Sequence, residues 1–143
     1  MTYTIGELSQ KMGLTAHTLR FYEKEGLLQK VRKNSAGFRR YSDEDINRLR
    51  ILECLKATGL SLKDIKHYFD LCAKGDDTIA ERMAIFLKQK ERLDVQLADL
   101  MQTKEKINFK IAYYEEAAKG GEKGLYERNP ELAKAKKRLF PDF

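Results

Sequence analysis

Between Ile79 and Tyr114, apolar residues recur alternately every four and every three positions: Ile79, Met83, Phe86, Leu93, Leu97, Leu100, Ile107, Ile111 and Tyr114. Only Lys90 and Lys104 interrupt the series. This is a heptad repeat in which Ile79 stands at d, every d position is apolar and both lysines fall at a. The pattern predicts one unbroken helix from about Asp77 to Ala118, roughly 60 Å long at a rise of 1.5 Å per residue. A chain of 143 residues has too little sequence left to cover so long a ridge, so a second copy is the expected partner. The competing arrangement is a long helix folded back on its own domain. Heptads alone do not fix the orientation of a pair. The mixture of Ile and Leu at a and d also specifies the number of helices weakly.

The N-terminal stretch TIGELSQKMGLTAHTLRFYEKEGLL reads as two short helices joined by a tight turn. Thr4 and Glu7 make a T-x-x-E capping box, so the first helix can begin at Ile5 with its free amides satisfied. Ile5, Leu8 and Met12 keep helical spacing, and Gly13 suits the left-handed residue that ends the helix. Leu14 can plug the corner, and Thr15 can cap a second helix of about ten residues. His17, Arg20, Phe21 and Lys24 then share one face, while Leu19 points elsewhere. A helix braced from behind with donors along its outer face suits a DNA major groove. An ordinary helical hairpin with a solvated charged face is the alternative from these residues alone.

Next comes KVRKNSAGFRRYS, where Asn34-Ser35-Ala36-Gly37 is turn chemistry between two short candidate strands. Lys30, Arg32 and Lys33 precede the turn, and Arg39 and Arg40 follow it. Phe38 and Tyr41 interleave with the arginines, so one face is expected to pack while the other meets phosphate. This has the form of a wing beside a helix-turn-helix. Ser42 is the expected cap of a third helix, with Asp43, Glu44 and Asp45 at the favourable end of its dipole. Ile46, Leu49 and Leu52 form its buried stripe, and Thr58-Gly59 closes it. Ser61 caps a fourth helix whose apolar side is Ile65, Tyr68, Phe69 and Cys72. Lys63 sits in the first turn of that helix, where a cation gains nothing from the dipole. Phosphate contact would explain it, as would simple solvation.

The charge distribution agrees with a basic head. Residues 1–75 hold 14 Lys+Arg against 9 Asp+Glu, whereas residues 76–118 hold 7 against 9. The excess therefore lies where a phosphate-binding module is expected. No apolar run approaches the roughly 18 residues of a membrane span, and the N-terminus lacks a signal-peptide core, so a cytoplasmic protein is expected. Cys54 and Cys72 form no C-x-x-C pair and read as reduced thiols. His17 and His67 have no metal-ligand spacing, and neither a nucleophile–base pair nor a Gly-rich phosphate loop is present, which argues against an enzyme.

Taken in order, TIGELSQKMGLTAHTLRFYEKEGLL, GFRRYSDEDI, LKATGLSLKDI and the heptad helix resemble MerR-type transcription regulators. The resemblance covers roughly the first 118 residues, and the combined order and spacing are specific. It implies an all-α fold with a small β wing, divided into a winged helix-turn-helix at 1–75 and a dimerising coiled coil at 76–118; residues 119–143, beyond the resemblance, read as a basic C-terminal tail with room for a short helix. It further implies a homodimer with an antiparallel coiled coil on a pseudo-palindromic promoter. Such proteins bend and untwist an overlong spacer so that RNA polymerase engages both of its recognition elements. Carried onto this chain, His17, Thr18, Arg20, Phe21 and Tyr22 would meet bases or phosphates from the reading helix. Arg39 and Tyr41 would do so from the wing, and Lys63 from the fourth helix.

The signal is less constrained. No cysteine follows Cys72, which argues against the thiolate metal sites of some branches of the family, and no cofactor is expected. The residues after the heptads are too few for the large ligand domain of the multidrug branches. LECLKATGLSLKDI resembles the aldehyde- and thiol-stress-responsive subgroup, where a cysteine on this helix is the proposed sensor. Arg50 and Lys56 near Cys54 favour thiolate, whereas its place towards the helix C-terminus disfavours an anion. Cys54 is thus either an electrophile sensor or a buried inert thiol, and Cys72 reads as core. A non-covalent small-molecule effector, a simple repressor and a coiled-coil adaptor with a basic head remain the alternatives. KGGEKG reads as a flexible link. Asn129-Pro130-Glu131 reads as a helix start, and Leu139, Phe140 and Phe143 are apolar anchors of a tail that either docks or stays mobile.

Overall fold

The computed structural model describes residues 1–28 and 32–143. Lys30, counted with the wing cations, lies outside the described residues. The chain forms two compact units, Met1–Lys90 and Glu91–Phe143.

The first unit begins with β1 (Thr2–Tyr3), α1 (Ile5–Met12) and α2 (Ala16–Lys24). β2 (Arg32–Lys33), β3 (Arg39–Ser42), α3 (Asp43–Ala57) and α4 (Leu62–Lys74) follow. A 3-10 turn at Asp76–Thr78 then leads into α5 (Ile79–Gly120). The helix ends follow from local chemistry. Thr4 and Glu7 form the expected capping box, and Gly13 closes α1 at φ 67°, a conformation that costs other residues a steric penalty. Thr15, Ser42 and Ser61 each accept a backbone N–H at the start of α2, α3 and α4.

The wing hairpin is present and is extended by β1, giving a three-stranded antiparallel sheet of order β1-β3-β2. A two-residue strand carries no periodicity, so β1 left no mark in the sequence. Leu8, Leu19, Tyr22, Leu27, Tyr41, Leu49, Leu52 and Ile65 fill the core between sheet and helices. The expected α3 stripe is buried, as are Ile65 and Phe69 of α4, while Tyr68 and Cys72 are half-buried. The first turns of α5 belong to this unit. Ile85 packs against the core, and Gln89 Nε2 donates to the Thr58 carbonyl at 2.9 Å, satisfying an acceptor at the end of α3.

In the second unit the remainder of α5 is covered on one side by α6 (Leu125–Arg128) and α7 (Pro130–Leu139). Phe109, Leu125, Leu132 and Leu139 are buried together, with Tyr113, Tyr126 and Phe140 packed around them. In the single chain the tail therefore packs on its own helix. KGGEKG is not a loose link either. Arg128 donates to Glu116 at 3.2 Å and to the Lys123 carbonyl at 2.9 Å, and also reaches the Gly121 carbonyl. Asn129 caps α7, and Pro130 stands at its start.

The α5 residues beneath the tail, Phe109, Ala112, Tyr113 and Ala117, lie outside the a and d positions. The seam is consequently left bare: Ile79, Met83, Phe86, Leu93, Leu97, Leu100, Ile107, Ile111 and Tyr114 are all exposed. Phe86 is the most covered of them, since its ring meets Tyr68 edge-on at 5.3 Å. No helix among the described residues is long and apolar enough to cross a membrane.

Candidate nucleic-acid interface

Helix α2 is held from behind by Leu19 and Tyr22, both buried, and turns the opposite side outward. His17, Arg20, Phe21 and Lys24 are all exposed on that outer side, as their spacing requires. Phe21, at 42% exposure, is an aromatic left uncovered among cations. Thr18 is half-buried in the first turn, its hydroxyl 2.9 Å from that of the cap Thr15.

Two of the residues expected at DNA are placed differently. Tyr22 and Tyr41 have their side chains in the core. Tyr22 lies three residues from Leu19, on the inward side of α2, and Tyr41 stands opposite Tyr3 in the sheet. The Tyr22 hydroxyl donates to Glu53 Oε1 at 2.7 Å and accepts from Lys56 Nζ at 3.1 Å. Burial, and then the bond to Glu53, raises the Tyr22 pKa above its ordinary 10.0. Burial and the charge of Glu23 do the same for Tyr41. Both rings act here as anchors between elements and not as free contact groups.

A test follows from the Tyr22 bonds. Tyr22→Phe is expected to lower the free energy of unfolding in urea by about 1.5–3 kcal/mol, the worth of a hydrogen bond to a charged group. The raised folded pKa makes the neutral phenol stabilising below its ordinary value near 10.0, with that contribution lost as pH rises through the folded value. The variant should therefore lose less stability than wild type between neutral and strongly alkaline pH.

The wing presents Arg32, Lys33 and Arg39 to solvent, with Arg40 half-buried. Asn34 shapes the tip, its Oδ1 accepting from the Ala36 and Phe38 amides at 3.0 Å each. Phe38 does not pack with Tyr41; it is 67% exposed. Residues three apart on a strand point to opposite faces, so only one of the two aromatics can reach the core. Arg39 reaches back to α2, where its Nε lies 3.1 Å from Glu23 Oε2. No spacing rule linked these two residues in the sequence. Lys63 is exposed in the first turn of α4.

Cys54 is exposed, which removes the buried-thiol reading. On α3 it follows Glu53 and precedes Lys56 by two residues, and those two side chains hold the Tyr22 hydroxyl. Cys72 is half-buried, 3.9 Å from Arg82 Nη1. Among the described residues no group of three or more His, Cys, Asp and Glu is placed to hold a metal ion.

Residues 3–72 match the sequence pattern of the MerR HTH family regulatory proteins, and residues 46–108 match the pattern named MerR, DNA binding. An uncharacterized HTH-type transcriptional regulator of Haemophilus influenzae is 44% identical over 117 residues, 82% of this chain and 87% of its own. The HTH-type transcriptional regulator AdhR of Bacillus subtilis is 36% identical over 89 residues, 62% of this chain and 64% of its own. Among solved structures, HiNmlR, a MerR family regulator lacking the sensor domain and bound to promoter DNA, has a TM-score of 0.66 at 44% identity. That likeness covers 87% of this chain and 96% of the other. A putative MerR family regulator from Listeria monocytogenes has a TM-score of 0.69 at 27% identity, covering 90% of this chain and 98% of the other.

Proposed function

The chain belongs to the MerR family of DNA-binding transcription regulators, and on that premise we propose that two copies grip one pseudo-palindromic promoter element and reshape its spacer when a signal arrives. The observation that carries this reading is the outward face of α2, where His17, Arg20, Phe21 and Lys24 stand exposed beside a basic wing. His17, Arg20 and Phe21, with Thr18 at the helix start, meet base edges or the adjoining sugar–phosphate. Arg39 from the wing and Lys63 from α4 meet phosphates. Tyr22 and Tyr41 support these contacts by fixing α2 and β3 from inside. The protein works in the cytoplasm, at the nucleoid.

The homodimer forms along the exposed heptad seam, since a row of Ile, Leu, Phe and Met side chains at 38–66% exposure gains by burial against its own copy. The paired heads then bind half-sites related by a two-fold axis. Bending a promoter of this size costs on the order of 1–6 kcal/mol, so several phosphate contacts must hold the distorted form for RNA polymerase. A signal needs only to favour one relation of the two heads over another. Permanganate footprinting on a duplex selected by the protein tests the reshaping. Reactive thymines at the dyad, between two symmetric protected patches, are expected; protection without a reactive centre would leave a simple repressor.

The exposure of Cys54 favours electrophile stress as the signal. Its thiolate would add to an electrophilic carbon such as that of an unsaturated aldehyde, forming an S–C bond, while the displaced π electrons take a proton from water. The adduct would sit on the same turn of α3 as Glu53 and Lys56, which tie that helix to the reading helix through Tyr22. Cys54→Ser is expected to abolish the aldehyde response of a reporter while leaving operator affinity unchanged. A response equal to wild type would point instead to a non-covalent effector.

A further inference from the structure

The geometry points to Glu23 as a positioning residue for DNA recognition: its carboxylate, on the reading helix, holds Arg39 of the wing so that helix and wing present one grip. This rests on the reading of α2 and the wing as the DNA face.

An acid on this face needs an explanation. Its neighbours along α2 and the wing are Arg20, Phe21, Lys24, Arg39 and Arg40, and a carboxylate among them repels the phosphates that they attract. Glu23 is turned sideways, with its side chain 23% exposed, and spans two elements that are 16 residues apart in the chain. Arg39 Nε lies 3.2 Å from Oε1 and 3.1 Å from Oε2, so the guanidinium is shared across both oxygens. The Tyr41 hydroxyl, 3.5 Å from Oε2, approaches the same carboxylate from the buried side of β3. Among the hydrogen bonds of the described residues, Arg39 uses only Nε. Its two Nη groups stay free to fork onto a phosphate or a guanine edge. A side chain as long as arginine loses much rotamer freedom when it binds, and an arm already fixed in the free protein loses less.

The sign of the effect separates this role from plain electrostatics. Removing a negative charge from a DNA face should tighten binding to every duplex. Removing a positioning group should loosen the selected duplex and spare a scrambled one. The experiment measures anisotropy of a duplex selected by the wild-type protein from a random pool, and of a scrambled duplex of equal length. It uses Glu23→Ala, Glu23→Gln, Arg39→Ala, the Glu23→Ala/Arg39→Ala double variant and Arg20→Ala, each with its thermal melt recorded.

Glu23→Ala is expected to weaken the selected duplex about tenfold, because Arg39 is loosened in each copy but not removed and the loss stays below that of two deleted arginine contacts, with the scrambled duplex bound as tightly as before or more so. Glu23→Gln keeps an acceptor for Nε and should stay within about threefold of wild type on the selected duplex. In the Arg39→Ala background Glu23→Ala should change affinity by less than about twofold, because its partner is already gone. Tightening of both duplexes by Glu23→Ala would overturn the proposal. So would an equal loss from Glu23→Ala with and without Arg39. If Arg39→Ala and Arg20→Ala both leave binding to the selected duplex intact, the fault lies instead in the assignment of the DNA face.

Discussion

Replacing Leu97 and Leu100 together with aspartate is expected to leave the chain monomeric, without the proposed pairing, and to lower affinity for a selected palindromic duplex about 10²- to 10⁴-fold, the range by which linked sites exceed single ones. These residues lie near the middle of the seam and are 58% and 66% exposed. A buried Leu contributes about 1.5–3 kcal/mol relative to an exposed one, and two chains bury four of them. The substitution replaces that gain with four carboxylates that must be desolvated against one another. Because both positions face solvent in the single chain, its own fold should change by no more than about 0.5 kcal/mol. Sedimentation reads the dimer, circular dichroism the fold and anisotropy the affinity. A variant that stays dimeric would place the interface elsewhere. A monomer that binds as tightly as wild type would show that the two heads do not act together.

Arg20→Ala should produce the second largest loss. Arg20 is exposed one turn from His17 on the outward face of α2, with Leu19 beside it fixed in the core. One arginine contact to a base edge or phosphate is worth about 1–3 kcal/mol, and a two-fold complex carries the contact twice. The selected duplex should therefore bind about 30- to 10⁴-fold more weakly. If Arg20 reads a base, the discrimination at one symmetric pair of positions should disappear while the salt dependence changes little. If it meets phosphate, selected and scrambled duplexes should weaken together and the salt slope should fall. Unchanged affinity for both would remove α2 from the interface.

What could be read from the sequence was what local chemistry or strict periodicity dictates. The capping boxes of α1 and α3, the left-handed Gly13 and the α2 face all needed only neighbours within a turn of helix. The heptads of α5 were legible for the same reason. Tyr22, expected at DNA by resemblance, has a buried side chain, and its spacing already pointed inward: it falls with Leu19, off the His17–Arg20–Phe21–Lys24 face. The same holds for Phe38, which cannot share a strand face with Tyr41. The docking of α7 on Phe109 and Tyr113, the Glu23–Arg39 pair and the exposure of Cys54 depend on contacts between distant segments. No window along the chain contains them.

The most direct measurement is the stoichiometry of the complex. Sedimentation equilibrium of the free protein should give twice the 16.6 kDa chain mass, and titration of the selected palindromic duplex should saturate at two chains per duplex. A free mass of 16.6 kDa, saturation at one chain, or equal affinity for a duplex carrying only one half-site would contradict a paired grip.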